Sequence, residues 1–194
     1  AFQSEALSPS EEAVLARLGM VVEDPDKERA GVLGFFDRLN TRNRVLNITV
    51  VLNLDCNFSC VYCYEGGLKG KLYMSRMTAD HLIDFIKRHF TADKNELLID
   101  FYGGEPLLSI PLIKYISNAL QAFTQSRGAS YRSTLVTNGS LFKRKTALEL
   151  SDLGLESVKI TLDGPAETHN KSRPYKSGAP SFDHIIENIL ETWD

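Results

Sequence analysis

The sequence is short of cysteine, tryptophan and net charge. It holds three cysteines and one tryptophan in 194 residues, and 22 basic against 25 acidic side chains give a formal charge of −3. An odd, clustered set of cysteines argues against a disulfide framework. The expected setting is therefore a reducing cytoplasm. Near-balanced charge gives no electrostatic case for nucleic acid or for an anionic membrane surface. No apolar run approaches the ~20 residues that cross a bilayer. The opening Ala1-Phe2-Gln3-Ser4-Glu5 has neither the basic start nor the apolar centre of a signal peptide. It also has no initiator methionine, which suggests a processed or trimmed chain. No repeat of roughly 20–50 residues is visible.

What is present is an ordinary globular composition, 43% hydrophobic and 24% charged, in a chain long enough for one sizeable core. Two segments are expected, residues 1–44 and 45–194. The first reads as a helical lead-in that covers the bottom or edge of the main domain. Ser8 and Glu11 form a capping box with Pro9 at the first helical position. Val14, Leu15 and Leu18 make an apolar stripe that Gly19 stops. Met20-Val21-Val22 reads as a brief extended piece. Asp24-Pro25 opens a second helix, with Val32, Leu33, Phe36 and Leu39 at helical spacing.

From Val45 the pattern changes. Strands are expected over residues 45–54, 97–101, 131–136 and 157–162, the first of them a buried, β-branched run. Helices are expected over 77–90, with Leu82, Phe85 and Ile86 inward, and over 110–126 and 142–153. Gly154 stops the third. A long polar loop is expected to hold His169 and Arg173. Pro180-Ser181-Phe182 opens a last helix with Ile185, Ile186, Ile189 and Leu190 on its apolar face. Strand followed by helix, four times over, implies an α/β fold with a parallel sheet and right-handed crossovers. Every unusual motif follows a strand. In a parallel barrel such loops share the C-terminal rim, where active sites assemble.

All three cysteines lie in Cys56-Asn57-Phe58-Ser59-Cys60-Val61-Tyr62-Cys63. Three thiolates that close in sequence reach one metal centre only if the backbone curls into a loop. Thiolates suit iron–sulfur clusters and zinc alike. A structural zinc site closes with four ligands; three cysteines on a four-iron cluster leave one iron open to a small molecule. The alternatives are a zinc site or three unrelated thiols. Gly103-Gly104-Glu105 lets backbone approach a ligand closely, or is a plain tight turn. Thr137-Asn138-Gly139 contains a common turn pair. Thr161 and Asp163 are two apart at a strand end and so share a side; the alternative is a strand threonine and an Asp-Gly turn. Tyr62 is a pocket aromatic or simple packing under the loop.

The C-x3-C-x-aromatic-C loop resembles the cluster loop of radical S-adenosylmethionine enzymes. Tyr64-Glu65 resembles the peptide- and protein-modifying branch, which includes anaerobic sulfatase maturases and maturases with a SPASM extension. The run Thr161-Leu162-Asp163-Gly164-Pro165, then His169 and Arg173, resembles S-x-D-G-P…H-D-x-x-R of sulfatase-maturase-like enzymes, with Thr161 for serine and Asn170 for aspartate. The first exchange keeps the hydroxyl; the second loses any charge role.

The resemblance implies a [4Fe–4S] cluster on Cys56, Cys60 and Cys63. It implies S-adenosylmethionine held at Gly103, Gly104, Glu105, Thr161 and Arg173, with Glu105 facing the ammonium, Arg173 and Thr161 the carboxylate, and Tyr62, Asn138 and Asp163 in the pocket. His169 is read as a loop organiser or a substrate contact. The implied reaction is reductive cleavage to a 5′-deoxyadenosyl radical that takes hydrogen from a peptide or protein. A flavodoxin or ferredoxin is the implied electron donor. The lead-in becomes, on this reading, part of a peptide-recognition module.

The family barrel has six strand–helix units and four are counted. The chain therefore reads as the N-terminal part of a partial parallel (β/α) barrel, inactive alone, with a sheet edge open to self-association. The rival functions are a non-catalytic module holding zinc or a structural cluster, and a radical enzyme on a small metabolite.

Overall fold

The computed structural model describes residues 8–22, 24–68 and 70–193. The opening five residues, on which the signal-peptide reading rests, lie outside them. The chain divides into two units, Ala1–Asn43 and Arg44–Asp194.

The first unit holds two helices, α1 (Pro9–Arg17) and α2 (Pro25–Arg42). The capping box is formed: Glu11 N–H donates to Ser8 Oγ at 3.4 Å and Ser8 N–H to Glu11 Oε2 at 2.9 Å. Gly19 ends the first helix with φ +70°, a conformation only glycine adopts at no steric cost. Met20-Val21-Val22 forms no strand. The helical stripe of α2 is present, but Leu33, Phe35 and Phe36 are about half exposed.

The second unit runs β1 (Val45–Val51), α3 (Arg76–His89), β2 (Glu96–Tyr102), a short 3-10 turn (Pro106–Ser109), α4 (Ile110–Ser126), β3 (Ser130–Thr137), α5 (Arg144–Ser151), β4 (Leu155–Ile160), α6 (Ala166–Ser172) and α7 (Phe182–Trp193). Its strands form one parallel sheet in the order β1-β2-β3-β4. This is the arrangement that strand–helix alternation implies, an open part of a barrel. On one face Leu97, Ile99, Phe101 and Leu135 pack with Ile83, Ile86, Ile113, Ile116 and Leu120 of α3 and α4. The other face carries Thr49, Asp100, Thr134 and Lys159, with the Thr134 hydroxyl donating to Asp100. A period of two separates the faces.

Four expectations need correction. β1 ends at Val51 and only Val50 in it is buried, because it is an edge strand with one apolar face. In α3, Ile86 is buried and Leu82 packs on the core as expected, but Ile83 is buried in place of Phe85, which is exposed and stacks on His89 at 4.0 Å. In α7, Leu190 is exposed and Asn188 takes the inward place, donating to Gly139 O at 3.0 Å and Ser140 O at 2.9 Å. The stretch expected as a polar loop is partly helical: His169 sits within α6 and Arg173 is its C-cap. No described helix is long and apolar enough to cross a membrane.

Candidate active site

The cysteine loop leaves β1 and is fastened on two sides. Towards the sheet, Gly104 N–H donates to Asn53 O at 3.0 Å and Glu105 N–H to Asp55 O at 2.7 Å. This is why two glycines follow β2. A Cβ on Gly103 would meet Asn53 O at 2.6 Å, and one on Gly104 would meet the Asp55 carbonyl carbon at 2.7 Å. The glycines admit the stem of the cysteine loop. Close approach was expected, but the partner is the chain's own backbone.

On its far side the loop pairs with the segment after α6. Ser59 N–H donates to Pro174 O at 2.8 Å, Val61 N–H to Ser172 O at 2.9 Å, and Lys176 N–H to Asn57 O at 2.9 Å. Phe58 and Tyr175 form an antiparallel bridge, and their rings meet edge to face at 4.8 Å. Asp55 closes this ribbon, accepting from Lys176 Nζ at 2.8 Å, Tyr73 Oη at 2.7 Å and Cys56 N–H at 2.9 Å. No local signal marks this pairing, since its halves are more than a hundred residues apart.

Glu105 does not face the pocket. Its fully buried carboxylate accepts from Thr137 Oγ1 at 2.7 Å, Asn138 N–H at 2.8 Å and Leu107 N–H at 3.0 Å. Burial pushes the carboxyl up, and these donors oppose the shift. The expected ammonium partner is thus a buried anchor that seats the Thr137-Asn138-Gly139 turn.

Tyr62, Asp163 and Arg173 meet. Tyr62 Oη donates to Asp163 Oδ2 at 2.6 Å and receives Arg173 Nη1 at 2.7 Å. Burial raises the Tyr62 phenol, with Asp163 adding to the shift. Arg173 Nε is buried and has no hydrogen-bond partner. Behind it, Asp163 N–H can only donate, so His169 Nδ1 accepts, at 3.3 Å, and Nε2 carries the proton to Ser181 Oγ at 3.2 Å. Ser181 Oγ donates in turn to Arg173 O at 2.6 Å. His169 and Ser181 are both fully buried. Asn170 Oδ1 accepts from Ser181 and Phe182 N–H, each at 2.9 Å, and so caps α7. His169 and Asn170 therefore organise the segment that presents Arg173.

These elements enclose a cavity of about 240 Å³. Cys56, Cys60, Cys63, Tyr62, Gly103, Gly104, Asn138, Thr161 and Arg173 line it. Of the residues expected to hold the cluster or S-adenosylmethionine, Glu105 and Asp163 do not. Phe58, Tyr64, Glu65, Tyr102, Val136 and Thr137 also line it and were not chosen as site residues. Tyr102 and Val136 had a signal: each lies two positions from another inward residue of its strand. Among the described residues no three Cys, His, Asp or Glu side chains gather closely enough to share one ion. Three thiols around one cavity are the donor set of a multi-iron cluster, which takes each thiolate on a separate iron.

The family model of the radical SAM superfamily matches residues 50–191. The chain belongs to the radical SAM superfamily. The match takes in the cysteine loop, the glycine pair and the stretch from Thr161 to Arg173. Similar proteins include the Fe-coproporphyrin III synthase of Methanosarcina barkeri, 32% identical over 136 residues, covering 69% of this chain and 30% of that protein. Another is the serine-type anaerobic sulfatase-maturating enzyme of Bacteroides thetaiotaomicron, 30% identical over 139 residues, covering 69% of this chain and 33% of that protein. The chain thus spans about a third of these relatives' length. The structure of native anSMEcpe with bound AdoMet and Kp18Cys peptide superimposes with a TM-score of 0.66 at 22% identity, covering 75% of this chain and 40% of that one. This last likeness shows the fold. Radical SAM enzymes use a [4Fe–4S] cluster and S-adenosylmethionine, and the residues here fit both. Three thiols face one space, and beside them stands an arginine with a buried, unspent N–H.

Proposed function

We propose that this chain carries the cluster and S-adenosylmethionine site of a radical enzyme that modifies a peptide or protein side chain. The observation that carries the reading is the single cavity in which Cys56, Cys60 and Cys63 face Arg173, whose Nε is a buried donor without an acceptor. An unpaired buried donor costs about 1–3 kcal/mol, a cost that an anionic group reaching the guanidinium would offset. A guanidinium suits a carboxylate through its fork of paired donors.

When bound, the cluster and S-adenosylmethionine supply a one-electron cleavage of the sulfonium and a radical that takes hydrogen from substrate. The chain's own residues hold and orient. Cys56, Cys60 and Cys63 would bind three irons and leave the fourth open. Arg173 and the Thr161 hydroxyl would take the methionine carboxylate. Glu105 is committed to three donors, so it would not be the partner of the amino group. Tyr62, held between Asp163 and Arg173, walls the pocket with its ring. A flavodoxin or ferredoxin would deliver the electron.

The peptide reading is supported by the Tyr64-Glu65 and Thr161–Arg173 contexts and by similarity to the sulfatase-maturating enzyme. Similarity to the Fe-coproporphyrin III synthase, at 32% identity, favours a second reading, a small-molecule substrate.

The test is anaerobic reconstitution of the full-length protein with iron and sulfide, then S-adenosylmethionine and dithionite, with 5′-deoxyadenosine read by mass spectrometry. Product that needs Cys60, and that rises with a peptide pool whose masses shift, is expected. A colourless zinc protein without product overturns the radical reading. Product that rises only with small metabolites overturns the peptide reading.

A further inference from the structure

Asn138 does more than form a wall. Its side-chain orientation is fixed by its neighbours. Oδ1 accepts from Ser140 N–H at 2.9 Å and from Ser140 Oγ at 2.6 Å. The amide nitrogen therefore points the other way, where it donates to Asn57 Oδ1 at 2.8 Å and lies 3.8 Å from Cys56 Sγ. An amide nitrogen carries two N–H bonds, one for each of these partners. The backbone is fixed as well: Asn138 N–H is bonded to the buried Glu105 carboxylate, and Asn57 Nδ2 donates to Ser140 Oγ at 2.8 Å. A second donor, Phe58 N–H, lies 3.4 Å from the same sulfur. Cys56 is the buried cysteine of the three. In a buried setting each hydrogen bond is electrostatically stronger than in water.

We propose that Asn138 donates a side-chain N–H to the Cys56 thiolate and thereby sets the reduction potential of the cluster bound there. Hydrogen bonds to cluster sulfurs are among the determinants of that potential. Reduction adds one electron, delivered by the external donor, and increases negative charge on the sulfurs. A donor aimed at Cys56 favours the reduced form and raises the potential. Glu105 and Ser140 act through Asn138 as positioning residues: Glu105 holds its backbone and Ser140 its amide plane. The inference rests on the cluster reading above.

The experiment is an EPR-monitored redox titration of the reconstituted protein, comparing wild type with Asn138→Leu, Asn138→Asp and Ser140→Ala. Asn138→Leu is expected to lower the reduced-to-oxidised ratio at fixed potential about tenfold, which is ~59 mV for one electron. Asn138→Asp, which keeps the shape but puts a carboxylate beside the thiolate, is expected to fall further. Ser140→Ala is expected to fall less. Unchanged potentials in variants that hold a full cluster overturn the proposal, since a merely structural residue alters cluster content and leaves the potential alone. Where Asn138 variants hold no cluster, pulsed EPR of reduced wild-type protein grown with 15N-asparagine decides. A resolved 15N coupling supports the proposal and its absence overturns it. A wild-type protein that takes up zinc and no cluster overturns the cluster reading itself, a result distinct from the others.

Discussion

Replacing Gly104 by alanine tests whether the glycine pair serves the loop or the ligand. The new Cβ would lie 2.7 Å from the Asp55 carbonyl carbon and 3.1 Å from that of Leu54, with the Asp55 oxygen nearer still. Both neighbours are backbone, so no flexible side chain can give way. The stem of the cysteine loop must move by roughly an ångström. Overpacking of this kind costs about 1–3 kcal/mol. The Glu105 N–H bond to Asp55 O, at 2.7 Å, is lost or stretched, for about another 1 kcal/mol. A total of about 2–4 kcal/mol lowers the melting temperature by ~5–15 °C in a domain of this size. Gly67 is the control. It lies just past the cysteines, and a Cβ there meets nothing within 4 Å, so Gly67→Ala is expected to melt within about 2 °C of wild type, a surface-like change. Thermal unfolding followed by circular dichroism on both variants is the assay, with iron content read in parallel. Gly104→Ala that melts with wild type and binds a full cluster refutes the reasoning. Weakened S-adenosylmethionine binding in such a stable variant would return Gly104 to a ligand role.

Two further outcomes follow from buried polar groups. Glu105→Ala leaves Leu107 N–H, Asn138 N–H and the Thr137 hydroxyl without their acceptor. At about 1–3 kcal/mol per unsatisfied group, partly relieved by water, a loss of about 3–5 kcal/mol is expected in chemical denaturation, and a loss below about 1 kcal/mol contradicts the anchoring role. His169 is held neutral, first by burial and then by the charge of Arg173, with Asp163 opposing. Its folded pKa lies below its unfolded value, so the unfolded chain binds more protons near pH 6 and stability falls as the pH drops below about 6.5. His169→Gln should flatten that limb of the melting-temperature profile between about pH 7 and 5; an unchanged limb would locate the acid sensitivity elsewhere.

The strand–helix order was legible because each level of the sequence agreed. Leu97, Ile99 and Phe101 alternate with Glu96, Leu98 and Asp100, and that alternation alone assigns two faces to β2. The helix over Ile110–Ser126 begins and ends where its apolar spacing does. The inward face of α7 was misread at one position because Asn188 looks polar. Its amide is buried only because two carbonyls of another loop wait for it, and no local pattern shows that. The same limit hid the helix at 166–172: a seven-residue helix is short for periodicity to reveal, and its stability comes from His169 and Asn170 bonding to the start of α7.

The motifs were legible as residues but not as a structure. Each looked like a separate ligand contact, yet much of their bonding is to one another. Gly103 and Gly104 receive the stem of the cysteine loop. Glu105 seats Asn138, Asn138 reaches Cys56 and Asn57, and Asn57 returns to Ser140. His169 and Ser181 hold the backbone of Arg173. This explains why the Asn170 exchange is tolerable. The position needs an acceptor for two N–H groups at the start of α7, and an amide oxygen supplies that as well as a carboxylate does. It also separates two kinds of residue that a motif presents as one. Cys56, Cys60, Cys63, Thr161 and Arg173 line the cavity, and their replacement should alter what is bound. Glu105, His169 and Asn170 bond to protein, and their replacement should first alter how firmly the rim is held.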